Sequence, residues 1–361
     1  MSLIRQAAAA LSARAGLSRL LYVHYGVTHR CNMRCRMCAV WQDGDASGEM
    51  TADEVRCLAT ELADAGTAMV TLGGGEPFVR HDLAALISAF HDAGNDVRVL
   101  TNGIGIDDTR IDSAIAAGLR HVSISLDTLD KEKQKDIYSG QDVWDEIVDT
   151  IHRFRERLTT PPSIPIMNVC VSRMNLDELA SLVEFAAQQG FCCSFVPVAL
   201  APNEDGGDGF AAAAPDMAVR PEDRQRLEAA YGDLLRLKRH GAPIANSARF
   251  LRDSLAYLRD GSGRWQCDAG TLYVSVSPGG DISICHRFPP ITRFDRPDLS
   301  RYLLSRSVRQ TAKQTRRQCD GCMRPCWAEL THVAHDLRSS MEALALMRRA
   351  PGKPGRELSS T

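Results

Sequence analysis

The chain has 361 residues, is 44% hydrophobic and carries 43 basic against 45 acidic side chains, a net charge of −2. That length suits one large α/β unit with a smaller appendage. Balanced charge with no long basic run gives no nucleic-acid footprint, and no stretch is apolar enough to span a membrane.

The N-terminal "MSLIRQAAAALSARAGLSRLL" imitates a signal peptide, but Arg14 breaks the small-residue run. It reads as an amphipathic lead-in helix over residues 1–19. "LLYVHYGVT" (20–28) is a first strand, and "HRCNMRCRMCAV" (29–40) follows it directly with Cys31, Cys35 and Cys38. Thr51 and Glu54 form a capping box opening a helix that runs to Gly66. After it, β-rich runs alternate with helical ones: "AMVTLGGG" (68–75), "DVRVLTNG" (96–103), "HVSISLD" (121–127), "PIMNVCVSR" (165–173) and "FCCSFVPVA" (191–199). Helices stop at Gly66, Gly94, Gly118 and Gly190, the chemistry of a left-handed cap. The alternation implies parallel strands with right-handed crossovers, in an open sheet or a partial barrel. "APNEDGGDGFAAAAPDMAVRP" (201–221) reads as a loop or linker. Helices follow at 222–240 and 247–261, then a hairpin at "TLYVSVSPGGDISIC" (271–285) around Pro-Gly-Gly. The last 30 or so residues read as a polar helix and a frayed tail.

Twelve cysteines is a high count, and eight of them cluster: Cys31, Cys35 and Cys38, then Cys267, Cys285, Cys319, Cys322 and Cys326. Clustered thiols without a secretory signal favour metal ligation in a reducing, cytoplasmic compartment over a disulfide framework. Cys57, Cys170, Cys192 and Cys193 lie in apolar periodic segments and read as small buried hydrophobes.

Three thiolates cannot close a tetrahedral zinc site, but they can hold a [4Fe–4S] cluster by three irons and leave the fourth open. The C-x3-C-x2-C spacing lets one loop wrap three corners of a cube. The loop follows a strand, at the sheet end where α/β folds place active sites. A zinc knuckle or incidental thiols are the bland alternatives.

With "CNMRCRMC" in view, the chain resembles the radical S-adenosylmethionine (SAM) superfamily. Met37 stands where that family commonly has an aromatic packing on the adenine, and a Met can do the same. "GGGEP" (73–77) resembles the family's segment receiving the SAM amino group, which implies roles for Gly74, Gly75 and Glu76. Ser125 and Asp127 of "SISLD" resemble its ribose-binding pair, and Arg173 of "NVCVSRMNLDEL" is the candidate for the SAM carboxylate. "TNG" (101–103) matches a recurring third-strand end. The resemblance covers residues 20 to about 200 and implies a partial (β/α)6 TIM-like barrel.

Past residue 263, Cys267, the hairpin with Gly280 five residues before Cys285, and "CDGCMRPCW" resemble the family's SPASM extension, or its shorter twitch form. Five cysteines suit one auxiliary [4Fe–4S] cluster, and a zinc ribbon is the alternative. Cys267 and Cys285 are expected to ligate with two of Cys319, Cys322 and Cys326; Cys319 with Cys322 is the first choice and Cys322 with Cys326 the rival. The expected organisation is a lead-in helix (1–19), a radical SAM core (20–220), linking helices (221–262), a twitch-like unit (263–335) and a C-terminal helix and tail (336–361).

The resemblance implies reductive cleavage of SAM to a 5′-deoxyadenosyl radical that abstracts hydrogen from an unactivated C–H bond, with electrons from a flavodoxin or ferredoxin. Only 30 residues precede Cys31, which leans the expectation toward a small-molecule substrate, such as a sugar or secondary-metabolite intermediate. A peptide maturase is the alternative within the family. A non-catalytic iron–sulphur carrier is the alternative outside it, and it would have no use for Glu76 or Asp127.

Overall fold

The computed structural model describes residues 20–159, 163–198, 215–261, 263 and 265–347. The lead-in helix, the linker's first part and the tail beyond residue 347 lie outside the described residues.

Six parallel strands form the core: β1 (Tyr22–Thr28), β2 (Met69–Gly74), β3 (Asp96–Thr101), β4 (His121–Ser125), β5 (Ile166–Val171) and β6 (Cys192–Pro197). They pair in sequence order, and each crossover carries a helix. The crossover helices are α1 (Ala52–Asp64), α2 (Leu83–Asp92), α3 (Asp108–Ala116), α4 (Lys131–Ile137), α5 (Trp144–Arg157) and α6 (Leu179–Gln188). The sheet curls without closing, a partial (β/α)6 barrel as the alternation requires. The outer edge of β6 is covered by residues 243–245: Cys193 N donates to Pro243 O, and Ala245 N to Cys193 O.

Local chemistry explains these elements. Thr51 and Glu54 make the expected capping box at α1, and Val55, Leu58, Ala59 and Leu62 form its buried stripe. Gly66, Gly94, Gly118 and Gly190 all adopt positive φ where the helices stop. The helix α4 is outside the sequence expectation. Its "KEKQKDI" buries only Gln134 and Ile137, so it has no apolar stripe to read; Asp130 caps it by accepting from Glu132 N and Lys133 N.

Helices α7 (Arg224–Arg239) and α8 (Ala248–Asp260) follow the barrel. The expected hairpin forms from β7 (Tyr273–Val276) and β8 (Asp281–Ser283), and a short β9 (Thr292–Arg293) extends it. It is continuous with the barrel sheet, because β7 pairs in parallel with β1 and gives a nine-stranded order β6-β5-β4-β3-β2-β1-β7-β8-β9. The chain closes with α9 (Leu299–Leu303), α10 (Arg306–Gln318), α11 (Pro325–His335) and α12 (Leu337–Met347). Among the described residues no helix is long and apolar enough to cross a membrane.

Two cysteine expectations divide. Cys192 and Cys193 are buried on β6, whereas Cys57 is exposed on the solvent face of α1 and is not the buried hydrophobe its setting suggests. Cys170 is half-buried.

Candidate active site

The loop after β1 brings Cys31, Cys35 and Cys38 to the C-terminal ends of the strands, all half-buried, with Cys31, Cys35 and Met37 packed against the core. Three arginines hold the loop. Arg30 makes a two-pronged pair with Glu49 at 3.1 and 2.9 Å. Arg34 donates to the carbonyls of Cys31 (2.7 Å) and Met33 (2.8 Å) and lies over the Trp41 ring. Arg36 pairs with Asp136 at 2.6 Å and with Asp216. Their charge is spent on pinning the loop. Burial pushes the Cys31 thiol up to about 11 and the Cys35 thiol well above its ordinary value. These thiols become ligands when a metal supplies the positive charge, since a coordinating thiol is deprotonated outright. Among the described residues no three His, Cys, Asp or Glu side chains gather tightly enough for a single metal ion. The soft, spaced three-sulphur donor set fits a cluster held at three corners.

The end of β2 carries Gly74, Gly75 and Glu76. Gly75 N donates to Thr28 O at 2.7 Å and Glu76 N to Arg30 O at 2.9 Å, so this turn is welded to the base of the cysteine loop. A Cβ on Gly74 would lie 2.3 Å from Thr28 O. The absence of a side chain at Gly74 therefore serves the close approach of this turn to the cysteine loop. Glu76 is 1% exposed. Its carboxylate accepts from Phe78 N (2.9 Å), Thr101 Oγ1 (2.9 Å) and Asn102 N (2.7 Å), tying the ends of β2 and β3 together. Burial raises its pKa to about 7, against those hydrogen bonds. Asn102, the middle of "TNG", donates to Asn32 Oδ1 at 2.7 Å and faces Cys31 Sγ at 3.8 Å, which puts the third strand end against the first thiol.

At the end of β4, Ser125 is half-buried, and among the described residues its hydroxyl has no hydrogen-bond partner. Asp127 is 4% exposed and accepts from Cys170 N at 2.7 Å, with Tyr138 OH 3.5 Å from its other oxygen. Burial lifts Asp127 to about 6, and its charge in turn raises Cys35. Sequence reasoning passed over Tyr138 and Asn175. Asn175 Nδ2 donates to Asp127 O and Cys170 O, which stitches β4 to β5. An Asn in a polar turn carries no signal that separates this role from an ordinary loop. Arg173 pairs with Asp223 through Nε at 3.0 Å and approaches Glu222 at 3.6 Å, so the partners the structure gives it are carboxylates after the linker.

The second thiol group lies around the β7–β8 hairpin. Cys267 Sγ is 3.2 Å from Tyr273 OH, and Tyr273 stacks on Trp327 at 5.5 Å. Trp265 Nε1 donates to Cys322 O, and Arg287 holds the 319–322 turn through Gly321 O (2.8 Å) and Asp320 (2.7 Å). Cys267 is raised by Cys319, Cys285 by Cys322 and Cys267, and Cys322 by Cys267 and Cys319, after burial in each case. Cys326, at the start of α11, answers to burial, Arg324 and Tyr22. Cys267 and Cys322 are thus coupled to each other and to Cys319, and Cys285 to Cys267 and Cys322, while Cys326 packs beside Tyr22 of β1 in the same apolar cluster as Cys267 and Cys285.

Residues 25–186 match the radical SAM superfamily. The chain is similar to GTP 3′,8-cyclase of Campylobacter jejuni, 32% identical over 173 residues, which is 46% of this chain and 52% of the relative. It is also similar to that of Ectopseudomonas mendocina, 30% identical over 182 residues, 49% of this chain and 54% of the relative. The chain spans about half the length of the curated relatives it matches. In fold it is similar to Streptococcus suis SuiB bound to the precursor peptide SuiA, with TM-score 0.62 and 17% identity over 85% of this chain and 69% of that one. A second fold neighbour is anSMEcpe with bound AdoMet, with TM-score 0.60 and 12% identity over 91% and 95% of the two chains. The cysteine loop at the barrel mouth, the strand-end residues gathered around it and the match agree: residues 25–186 form a radical SAM domain, the domain of a superfamily that uses a [4Fe–4S] cluster and SAM, and the chain is an enzyme.

Proposed function

We propose that Cys31, Cys35 and Cys38 hold the SAM-binding [4Fe–4S] cluster, and that the chain performs hydrogen abstraction on a small molecule. When bound, the cluster and SAM supply a 5′-deoxyadenosyl radical. The protein's share is placement. Gly74, Gly75 and Glu76 fix the loop, and the remaining acceptor capacity of the Glu76 carboxylate suits an ammonium. Ser125 offers a free hydroxyl beside Asp127 for ribose, and Met37 packs near the adenine. Arg173 serves the SAM carboxylate only if it leaves Asp223. The observation that carries the reading is the convergence of the ends of β2, β3 and β4 on the cysteine loop after β1.

Cys267, Cys285, Cys319 and Cys322 are proposed to ligate one auxiliary [4Fe–4S] cluster in a twitch-like unit. Four thiolates leave no open iron, so this cluster exchanges electrons with the substrate radical or with a flavodoxin- or ferredoxin-type donor in a reducing, cytoplasmic setting. Protein reconstituted without oxygen should carry about eight irons per chain, and Cys31, Cys35 and Cys38 changed together to Ala should remove about half. Zinc in either place overturns that half of the assignment.

The curated relatives are named for a nucleotide substrate, which supports a small molecule; a sugar or secondary-metabolite intermediate is the class foreseen. A peptide is the second reading, since the SuiB structure of similar fold holds its precursor peptide. The rate of 5′-deoxyadenosine release separates them. GTP or a metabolite fraction should stimulate it, and stimulation by a peptide fraction alone would select the second reading.

A further inference from the structure

Between the cysteine loop and α1 lies Glu49, the carboxylate that Arg30 grips, and its partners reach further than that one pair. The Glu49 side chain is 9% exposed. Thr28 Oγ1 donates to its Oε1 at 2.5 Å, Arg30 reaches both oxygens, and Arg80 Nη1 stands 3.6 Å from Oε2. Thr28 ends β1 and Arg30 immediately precedes Cys31. Arg30 N also donates to Thr28 Oγ1 at 3.0 Å, so the stem is a closed turn with Glu49 across it. An exposed ion pair would contribute little. This one is shielded and two-pronged, with a hydroxyl as an additional donor, which fixes geometry as well as charge.

The other side of the same segment belongs to the C-terminal unit. Met50 N donates to Pro278 O at 2.9 Å, in the turn between β7 and β8. Gly280 has φ +86, and a Cβ there would lie 2.7 Å from Met50 Sδ and 2.3 Å from the Phe294 ring. Arg80 Nη2 closes the arrangement on Met50 O at 2.9 Å, and its Nη1 on Val27 O at 3.0 Å. Residues 48–50 are therefore held between the hairpin turn and the stem of the cysteine loop.

We propose that Glu49 is a positioning residue through which the β7–β8 hairpin fixes the stem carrying Cys31. The proposal rests on the reading of Cys31, Cys35 and Cys38 as ligands. Glu49 reaches the site only through Thr28 and Arg30, and its effect falls on the presentation of the first thiol. Arg80 keeps Asp82 as a partner at 2.6 Å when Glu49 is altered, so the disturbance is directed to the stem.

The test uses the full chain, reduced and metal-free, with iodoacetamide labelling of each cysteine followed by mass spectrometry. Cys319 and Cys322 serve as internal references. Glu49→Gln should raise Cys31 labelling about tenfold relative to those references, through local opening of the stem. Glu49→Asp keeps the charge and should label more slowly than Glu49→Gln. Gly280→Val, acting from the hairpin side, should raise Cys31 labelling as well. Wild-type rates in Glu49→Gln overturn the proposal, and so does an equal rise at all the cysteines, which would mean general loss of structure. Equal labelling of the Asp and Gln variants removes the charge from the account. Failure of the underlying reading shows elsewhere, as undiminished iron uptake when Cys31, Cys35 and Cys38 are all Ala.

Discussion

A Cβ on Gly75 would lie 2.1 Å from the carbonyl oxygen of Arg30, the same oxygen that accepts from Glu76 N. Backbone meets backbone there, so no side-chain rotation relieves the clash. Gly75→Ala must push the β2 turn and the cysteine loop apart. The expected result after anaerobic reconstitution is loss of about half the iron, with the C-terminal cluster's EPR signal kept. Full iron and an unchanged spectrum would show that the loop does not depend on this contact.

Glu76 makes stability depend on pH. Its folded pKa of about 7 lies above the ordinary value of 4.5, so between those values the folded chain binds a proton that the unfolded chain does not. Stability therefore falls as pH rises through that window. His121 opposes it, because burial lowers its pKa from 6.5 to about 3 and its contribution grows with pH over that range. Asp127 and Glu329 act in the same direction as Glu76. The comparison is thus metal-free wild type against Glu76→Gln, by urea unfolding at two pH values. The variant carries a constant penalty from its misplaced amide, but the wild type's advantage should shrink from pH 5 to pH 8 by at most about 3 kcal/mol. An advantage that does not change with pH would place the Glu76 pKa near its ordinary value.

The auxiliary ligand set is tested by single substitutions. Cys319→Ala should lose the auxiliary EPR signal, and Cys326→Ala should keep it. The opposite pattern would select Cys322 with Cys326 over Cys319 with Cys322. Persistence of the signal in all five variants would mean that the thiols hold no cluster.

Much of this was legible in the sequence. The glycine stops and apolar runs placed the six strands within a few residues, and the C-x3-C-x2-C loop followed β1 as expected. Pairings between distant residues were not legible. Periodicity shows that "TLYVSVSPGGDISIC" folds into a hairpin, but not that its first strand joins β1, because either open edge of the sheet could accept it. The partners of the arginines in the cysteine loop carried no signal either: Glu49 lies 19 residues from Arg30, and Asp136 and Asp216 lie 100 and 180 residues from Arg36. Glu76 read as the acceptor for an ammonium, and its burial and its hydrogen bonds from Thr101 and Asn102 at the end of β3 carried no signal in the sequence. Helix α4 was silent because its surface is polar all round apart from Ile137, and its formation rests on the Asp130 cap and on packing.

The central claim is that the three thiols of the β1 loop support SAM cleavage. Anaerobically reconstituted, dithionite-reduced protein should convert SAM to 5′-deoxyadenosine and methionine in equal amounts, slowly and without added substrate. The variant with Cys31, Cys35 and Cys38 all changed to Ala should form neither, while it retains the C-terminal iron. Iron-replete wild type that releases no 5′-deoxyadenosine, or a triple variant that releases as much as wild type, would contradict the account.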